Sequence, residues 1–448
     1  MNKNNHTKQL LLFKDIGGKK VEADFQGGEV SSDAGLIFLR EVERQVGLIR
    51  RVAEVLRDRR HPGYVKHQFT ELLKQRVFQI ACGYEDGDDS DQLRNDPMLK
   101  IACERLPDEK PLASQPTMSR FENGLSRTDL YRIAEVFLDI FIESYEEPPE
   151  AIILDIDDTN DPTHGNQQLA LFNAFHNNYC YMPMHIYEGR SGKLITTVLR
   201  PGKRPTGKQI VSILKRVVKR IRQAWPEVGI LLRGDSYYSC PAVYEFCEKE
   251  EIKYVFGFKP YMPLKEKAKK LVEEAQKRYA REKQPVKIFS EFFYQAKSWP
   301  QPKRIIVKVE YNALGQNVRF IVTDLEHWNR RFIYETVYCG RGEAELFIKE
   351  HKNHLLSDRT SCSRFEANQF RLFLHSAAYV LLHTFRRLHL KGSQWARAQF
   401  DTIRLKIIKI GARIRQLKTR IKIHLPTSFP YKQELQKIWL SCYGSGHT

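Results

Sequence analysis

Between residues 151 and 258 the chain alternates short apolar runs with longer stretches of helical period, and two of those runs end in acids. The first reads Ile152-Ile-Leu154-Asp155-Ile156-Asp157-Asp158, and the second reads Val228-Gly-Ile230-Leu231-Leu232-Arg233-Gly234-Asp235. Near-continuous apolar runs of this kind read as strands buried on both faces, and such strands need covering helices. Residues 151–157, 182–188 and 194–199 read as three strands, the last two joined by the turn Gly189-Arg-Ser-Gly192. A helix over about 206–225, a strand over 228–233, a helix over 241–250 and a strand over 253–257 follow. A meander of three strands followed by alternating helices and strands is an α/β arrangement. Its strands carry acids at their ends.

The flanking regions have a different grammar. Ahead of Pro148-Pro149 the pattern is helical, with expected helices from Leu36 to about Val46, over about 64–82, and over about 126–145. The first 24 residues are polar and are expected to be frayed. Thr117, Ser119 and Arg120 stand at the start of a short helix opened by Ser114 and Pro116. That is the kind of element a helix-turn-helix puts into the major groove, although plain helical connectors share the pattern. After Phe258 a charged helix over about 263–284 leads into expected strands over 288–296, 304–311 and 318–323, with Trp299 at their edge. From Phe400 to Ile421 apolar residues recur in steps of three and four among lysines and arginines, which reads as a basic helical C-terminus with room for a break at Gly411.

These shifts give five expected regions. Residues 1–148 form an N-terminal helical DNA-binding region, and 149–258 form the first part of a ribonuclease-H-like core, whose strand order this is. A β-rich insertion covers 259–330, the last part of the core 331–395, and a basic C-terminal region 396–448.

Charge narrows the partners. Lys and Arg outnumber Asp and Glu by 73 to 54, giving a formal net charge of +19 over 448 residues. That excess favours a polyanion through counterion release and steering. No stretch approaches the ~18 apolar residues of a membrane span, and the apolar run at Leu10–Phe13 is too brief for a signal-peptide core, so a cytoplasmic protein without a membrane partner is expected. The 8 cysteines include no C-x-x-C pair, and Cys339, Cys362, His351 and His354 fit no zinc spacing. The acidic turn Gly83–Asp91 lacks the ligand spacing of a calcium loop.

A third acid comes from Tyr338-Cys-Gly-Arg341-Gly-Glu343-Ala-Glu345-Leu-Phe-Ile-Lys349-Glu350-His-Lys352. Tyr338, Arg341, Glu345 and Lys352 are spaced so that an α-helix would return them to nearly one side. The bland alternative is an exposed helix carrying i, i+4 ion pairs worth a few tenths of a kcal/mol each.

This row resembles the Y-R-E-K signature of DDE transposases from bacterial insertion sequences. Asp157-Asp158-Thr159 resembles the D-x-T motif around their first catalytic acid, and Arg233-Gly-Asp235-Ser-Tyr-Tyr238 resembles the element carrying the second. Gly83-Tyr-Glu-Asp, Gln115-Pro-Thr-Met-Ser-Arg120-Phe-Glu-Asn123, the Asp157–Gln167 segment and Asp358–Arg371 look like the group-1 DDE family as well, which is related to hairpin-type cut-and-paste transposases. The resemblance implies Asp157, Asp235 and Glu345 as catalytic metal ligands, with Asp155 and Asp158 as alternatives for the first. It implies Mg2+, with Mn2+ able to substitute, because hard oxygen donors suit these ions. It implies double-stranded transposon-end and target DNA as partners, a homodimer on paired ends, and no small-molecule cofactor. Tyr338, Arg341 and Lys352 would handle DNA, and Trp299 would stack an extruded base. Competing readings are a nuclease of the same fold, or a DNA-binding regulator that leaves the acids without a task.

Overall fold

The computed structural model describes residues 11–444, which divide into two compact units. The larger unit comprises 46–61 and 119–383. Its elements are α1 (Arg127–Glu143), β1 (Ala151–Asp158), β2 (Met184–Glu188), β3 (Leu194–Val198), α2 (Gly207–Ala224), β4 (Gly229–Gly234), α3 (Pro241–Lys249), β5 (Lys253–Phe258), α4 (Met262–Glu282), β6 (Val286–Tyr294), β7 (Lys303–Asn312) and β8 (Gly315–Thr323). All eight strands join one mixed sheet in the order β6-β7-β8-β5-β4-β1-β2-β3.

Local sequence explains the helix starts. Ser126 and Asp129 close a capping box on α1, as do Thr206 and Gln209 on α2. Prolines open α3 and α4, where a missing N–H costs nothing. On one face of the sheet Ile152, Leu154 and Ile156 of β1 meet Leu214, Val217 and Ile221 of α2 and Leu138 and Phe141 of α1, all buried. On the other face Val255, Ile306 and Ile321 pack against Ile333, Tyr334 and Val337. Burying a Leu, Ile or Phe side chain contributes about 1.5–3 kcal/mol, so these two layers hold the sheet.

The pairing fixes where the acids end up. β1, β4 and β5 run parallel, while β2 is antiparallel to β1 and β8 is antiparallel to β5. In the β1–β4 register Arg233 pairs with Asp155 and Gly234 with Ile156. Asp157 and Asp235 therefore leave the ends of adjacent parallel strands one step past the last rung.

The three strands expected as a separate insertion extend this sheet, because the outer edge of β5 is free to pair with β8. Between β1 and β2 a small three-stranded sheet is formed by Asp161–Pro162, Leu171–Asn173 and Asn178–Tyr181.

The smaller unit comprises residues up to 45, 62–118 and 384 onward. It has helices at Phe69–Cys82 and Pro97–Ala102, and a three-stranded sheet of Val30–Ser31, Ala412–Gln416 and Ile421–His424. Two expectations fail here. Residues expected to be frayed form a hairpin, Leu11–Ile16 with Lys19–Ala23; residues 1–10 lie outside those described. The basic C-terminal helix stops after Phe400–Ile403 and a π-helical turn at Arg404–Ile408, and two strands follow. Ala412 and Ile414 are buried while Arg413 and Arg415 are exposed, a period of two. The isoleucines that fit a helical stripe also fit this alternation, and pairing to Val30–Ser31 decides it. A final helix, Lys432–Tyr443, was not foreseen.

Among the described residues no helix is long and apolar enough to cross a membrane.

Candidate active site

Three acids crowd the end of β1, and each has a different environment. Asp155 is fully buried and accepts two hydrogen bonds from Arg233, from Nε and Nη2, each 2.6 Å long. Burial raises its carboxyl above the usual range while Arg233 opposes the shift. Asp158 ion-pairs with Arg200 and accepts the Tyr238 hydroxyl at 2.6 Å; burial lifts it to about 6 against both partners. Asp157 lies between them, half-buried, with its Oδ2 2.7 Å from Arg341 Nη1. Burial pushes its carboxyl up to about 7, Arg341 opposes that, and the nearby Asp235 adds to it. A carboxyl that gains a proton this easily beside a second acid marks a site where a cation would relieve the charge.

Arg341 is the hub. Its Nη2 also lies 3.2 Å from Glu345 Oε1, so one guanidinium joins the first and third expected acids. Burial works against its charge, and Asp157, Tyr338, Glu345 and Asp235 outweigh burial to raise its pKa. The Tyr338 hydroxyl lies over Gly257, where a Cβ would come within 2.7 Å of it. Burial raises the Tyr338 phenol, and Asp235 adds to that.

Arg233 positions this assembly from below. Besides gripping Asp155 it donates from Nη1 to the Val337 carbonyl at 2.7 Å, tying β1 and β4 to the turn just before Tyr338. Gly340 gives it room, since a Cβ there would lie 2.8 Å from Arg233 Nη1. The sequence showed Arg233 in its motif but not this bridging role. Tyr238 stood in the motif around Asp235 and Arg200 in none, and the pairing of both with Asp158 could not be read because it spans the fold.

The expected single α-helical row is not what forms. Ile333–Tyr338 is π-helical, Cys339–Arg341 is 3-10, Gly342–Lys349 is α, and Glu350–His354 is π again. Such irregular turns are frequent at functional sites. Tyr338, Arg341 and Glu345 still gather near Asp157 and Asp235, but Lys352 diverges. Its Nζ donates to the Asn160 carbonyl and sits 4.0 Å from Asp358.

Trp299 is a correction. Only 7% exposed, it packs edge-on against Tyr244 and Tyr294 and tilted against Phe258. A ring occupied by core contacts on these sides is not presented to an extruded base. Ser119 and Arg120 are exposed and Thr117 half-buried on the helix Gln115–Asn123.

Among the described residues no three His, Cys, Asp or Glu side chains stand close enough to hold a metal ion together. The Arg341 guanidinium pairs with both Asp157 and Glu345. The donor chemistry nevertheless fits a hard divalent cation, since Asp157, Asp235 and Glu345 offer carboxylate oxygens and nothing softer.

A search of curated proteins finds no match. Among solved structures, the cryo-EM structure of a piggyBac transposase synaptic complex with hairpin DNA is similar over 84% of this chain and 79% of that chain, at 10% identity and a TM-score of 0.44. The family model described as transposase DDE domain group 1 matches residues 13–442. That span is nearly the whole chain, and the protein belongs to this family of DNA-cleaving and DNA-transferring enzymes, which depend on divalent metal.

Proposed function

We propose that this chain is the transposase of an insertion sequence, binding its terminal inverted repeats and carrying out Mg2+-dependent strand cleavage and strand transfer. The observation that carries this reading is the convergence of Asp157 and Asp235 at the ends of adjacent parallel strands, with Arg341 joining Asp157 to Glu345. In this reading 149–258 and 331–395 form a ribonuclease-H-like core, with 259–330 inserted, 1–148 binding DNA, and 396–448 basic.

Asp157, Asp235 and Glu345 would hold the divalent cation, Mg2+ or Mn2+, which supplies charge neutralisation at the scissile phosphate and a more acidic nucleophile. Glu345 is exposed and enters the ligand set by leaving Arg341, which frees that guanidinium for the phosphate beside the scissile bond. Asp155 and Asp158 are held by more deeply buried partners, Arg233 and Arg200, which supports Asp157 as the first ligand. Tyr338 stands beside Asp235 to hold the terminal nucleotide, and Lys352 is directed at the DNA near the loop after β1. Thr117, Ser119 and Arg120 contact the end sequence. Water attacks phosphorus and the 3′ oxygen leaves as a hydroxyl; that hydroxyl then attacks a target phosphate, expelling its 3′ oxygen. A homodimer on paired ends, acting in the cytoplasm, completes the reading.

The test uses a plasmid carrying the inverted repeats that flank the gene. Asp157→Ala, Asp235→Ala and Glu345→Ala should each retain end binding in a gel shift and lose cleavage by at least about a thousandfold. Cleavage retained by any one removes that residue from the set.

A further inference from the structure

A second site lies in the larger unit, where α1 and α2 run over β3. It is a groove of about 880 Å³ floored by Thr196 and Val198 of β3 and walled by α1 and α2. Its lining has one carboxylate, Glu135, against seven Lys and Arg side chains. Two of the seven are engaged: Arg220 pairs with Asp139 and Arg200 with Asp158. The other five, Arg127, Lys203, Arg204, Arg216 and Lys219, are exposed and make no ion pair among the described residues. Five cations without acids is a field for a polyanion.

Two features separate this groove from a merely solvated basic face. Tyr131 is 43% exposed with the Arg216 guanidinium 4.4 Å above its ring, and Leu171, Val198 and Ile213 supply apolar surface beside it. An aromatic ring and an apolar floor beside cations suit bases joined by phosphates. A buried polar atom on the lining also lacks a partner. Thr196 is 3% exposed and its Oγ1 has no hydrogen-bond partner among the described residues. A buried donor left unsatisfied costs about 1–3 kcal/mol, which a ligand in the groove would recover. An aromatic ring and an apolar floor favour a strand with unpaired bases over a duplex, whose bases are stacked inside.

We propose that this groove binds a single-stranded segment of DNA, its phosphates on Arg127, Lys203, Arg204, Arg216 and Lys219 and a base against Tyr131 and the apolar floor. The strand meets Arg200 at the inner end, and Arg200 in turn touches Asp158 beside the acids at the end of β1. The groove thus leads a strand toward the cleavage site. This deepens the transposase reading and rests on it for the source of the strand.

The test is metal-free binding of a short fluorescein-labelled oligothymidylate to full-length Glu345→Gln protein, so that cutting plays no part. Lys203→Gln with Arg216→Gln should weaken binding about tenfold and make the log–log salt slope shallower by roughly 1.4, two phosphate contacts at about 0.7 each. Thr196→Val should weaken binding severalfold without lowering the melting temperature. Photo-crosslinking of an iododeoxyuridine strand should label Tyr131. An unchanged affinity and salt slope in the double variant would overturn the proposal, as would equal competition by polyglutamate, which would assign the groove to an acidic protein segment. A melting temperature that changes in Thr196→Val while affinity does not would also count against it. Cleavage lost in the triad variants with groove binding absent would leave the transposase reading standing alone; groove binding with cleavage retained would do the reverse.

Discussion

The acid-bearing end of β1 and the basic groove beside β3 use the same types of charge in opposite ways. At the end of β1 each acid has its cation: Asp155 has Arg233, Asp158 has Arg200, and Asp157 has Arg341. In the groove five cations have none among the described residues. Paired, buried charge fixes geometry, and losing one partner is costly. Unpaired, exposed charge does little for stability and stays available to a ligand. Arg200 belongs to both regions, which is why the groove reads as continuous with the acids.

The largest expected effect is at the buried clamp. Arg233→Met should cost about 3–5 kcal/mol in urea unfolding, since it strands Asp155 without a partner. A loss below about 1 kcal/mol would erase the distinction between the regions. Gly340→Ala places a Cβ against Arg233 and should cost about 1–3 kcal/mol by the same measurement; an unchanged midpoint would mean Arg233 has slack.

Behind the clamp, His185 faces Asp157 across the β1–β2 pairing and contacts His351, both fully buried. Burial lowers His185 to about 3 and His351 well below its usual value. Their folded-state pKa values are depressed, so the stability they contribute is complete above the unfolded value of about 6.5 and declines as pH falls beneath it. Below pH 6.5 each should cost up to about 1.4 kcal/mol per pH unit. Melting curves of wild type and His351→Gln from pH 8 to 5, with the variant showing the flatter slope, check this; parallel slopes would refute it. The smallest effect is in the groove, where Arg216→Met should shift stability by no more than about 0.5 kcal/mol.

How much of this was legible in the sequence differs by region. The strands of the large sheet announce themselves as apolar runs between turn residues, and both strand-end acids were visible at once. Local pattern could not say which cation each of Asp155, Asp157 and Asp158 meets, because their partners lie some 40–180 residues away and are brought in by the tertiary fold. The C-terminal isoleucines satisfied two periodicities, and only tertiary pairing selected the strand. The Tyr338–Lys352 segment kept its residues near the acids but not its regular helix, and Lys352 left the row because the π turn re-aims it. Trp299 belonged to the core, the commoner fate of a large aromatic. The groove was invisible, since it is assembled from a strand edge and two helices whose lysines and arginines read as ordinary solvated faces.

The central claim is that Asp157 and Asp235, not their neighbours, form the acid pair that holds a divalent cation. Mn2+ binding followed by electron paramagnetic resonance, with no DNA present, tests it most directly. Wild-type protein and Asp158→Asn should bind the ion, while Asp157→Asn and Asp235→Asn should not. Binding retained in Asp157→Asn and lost in Asp158→Asn would contradict the account.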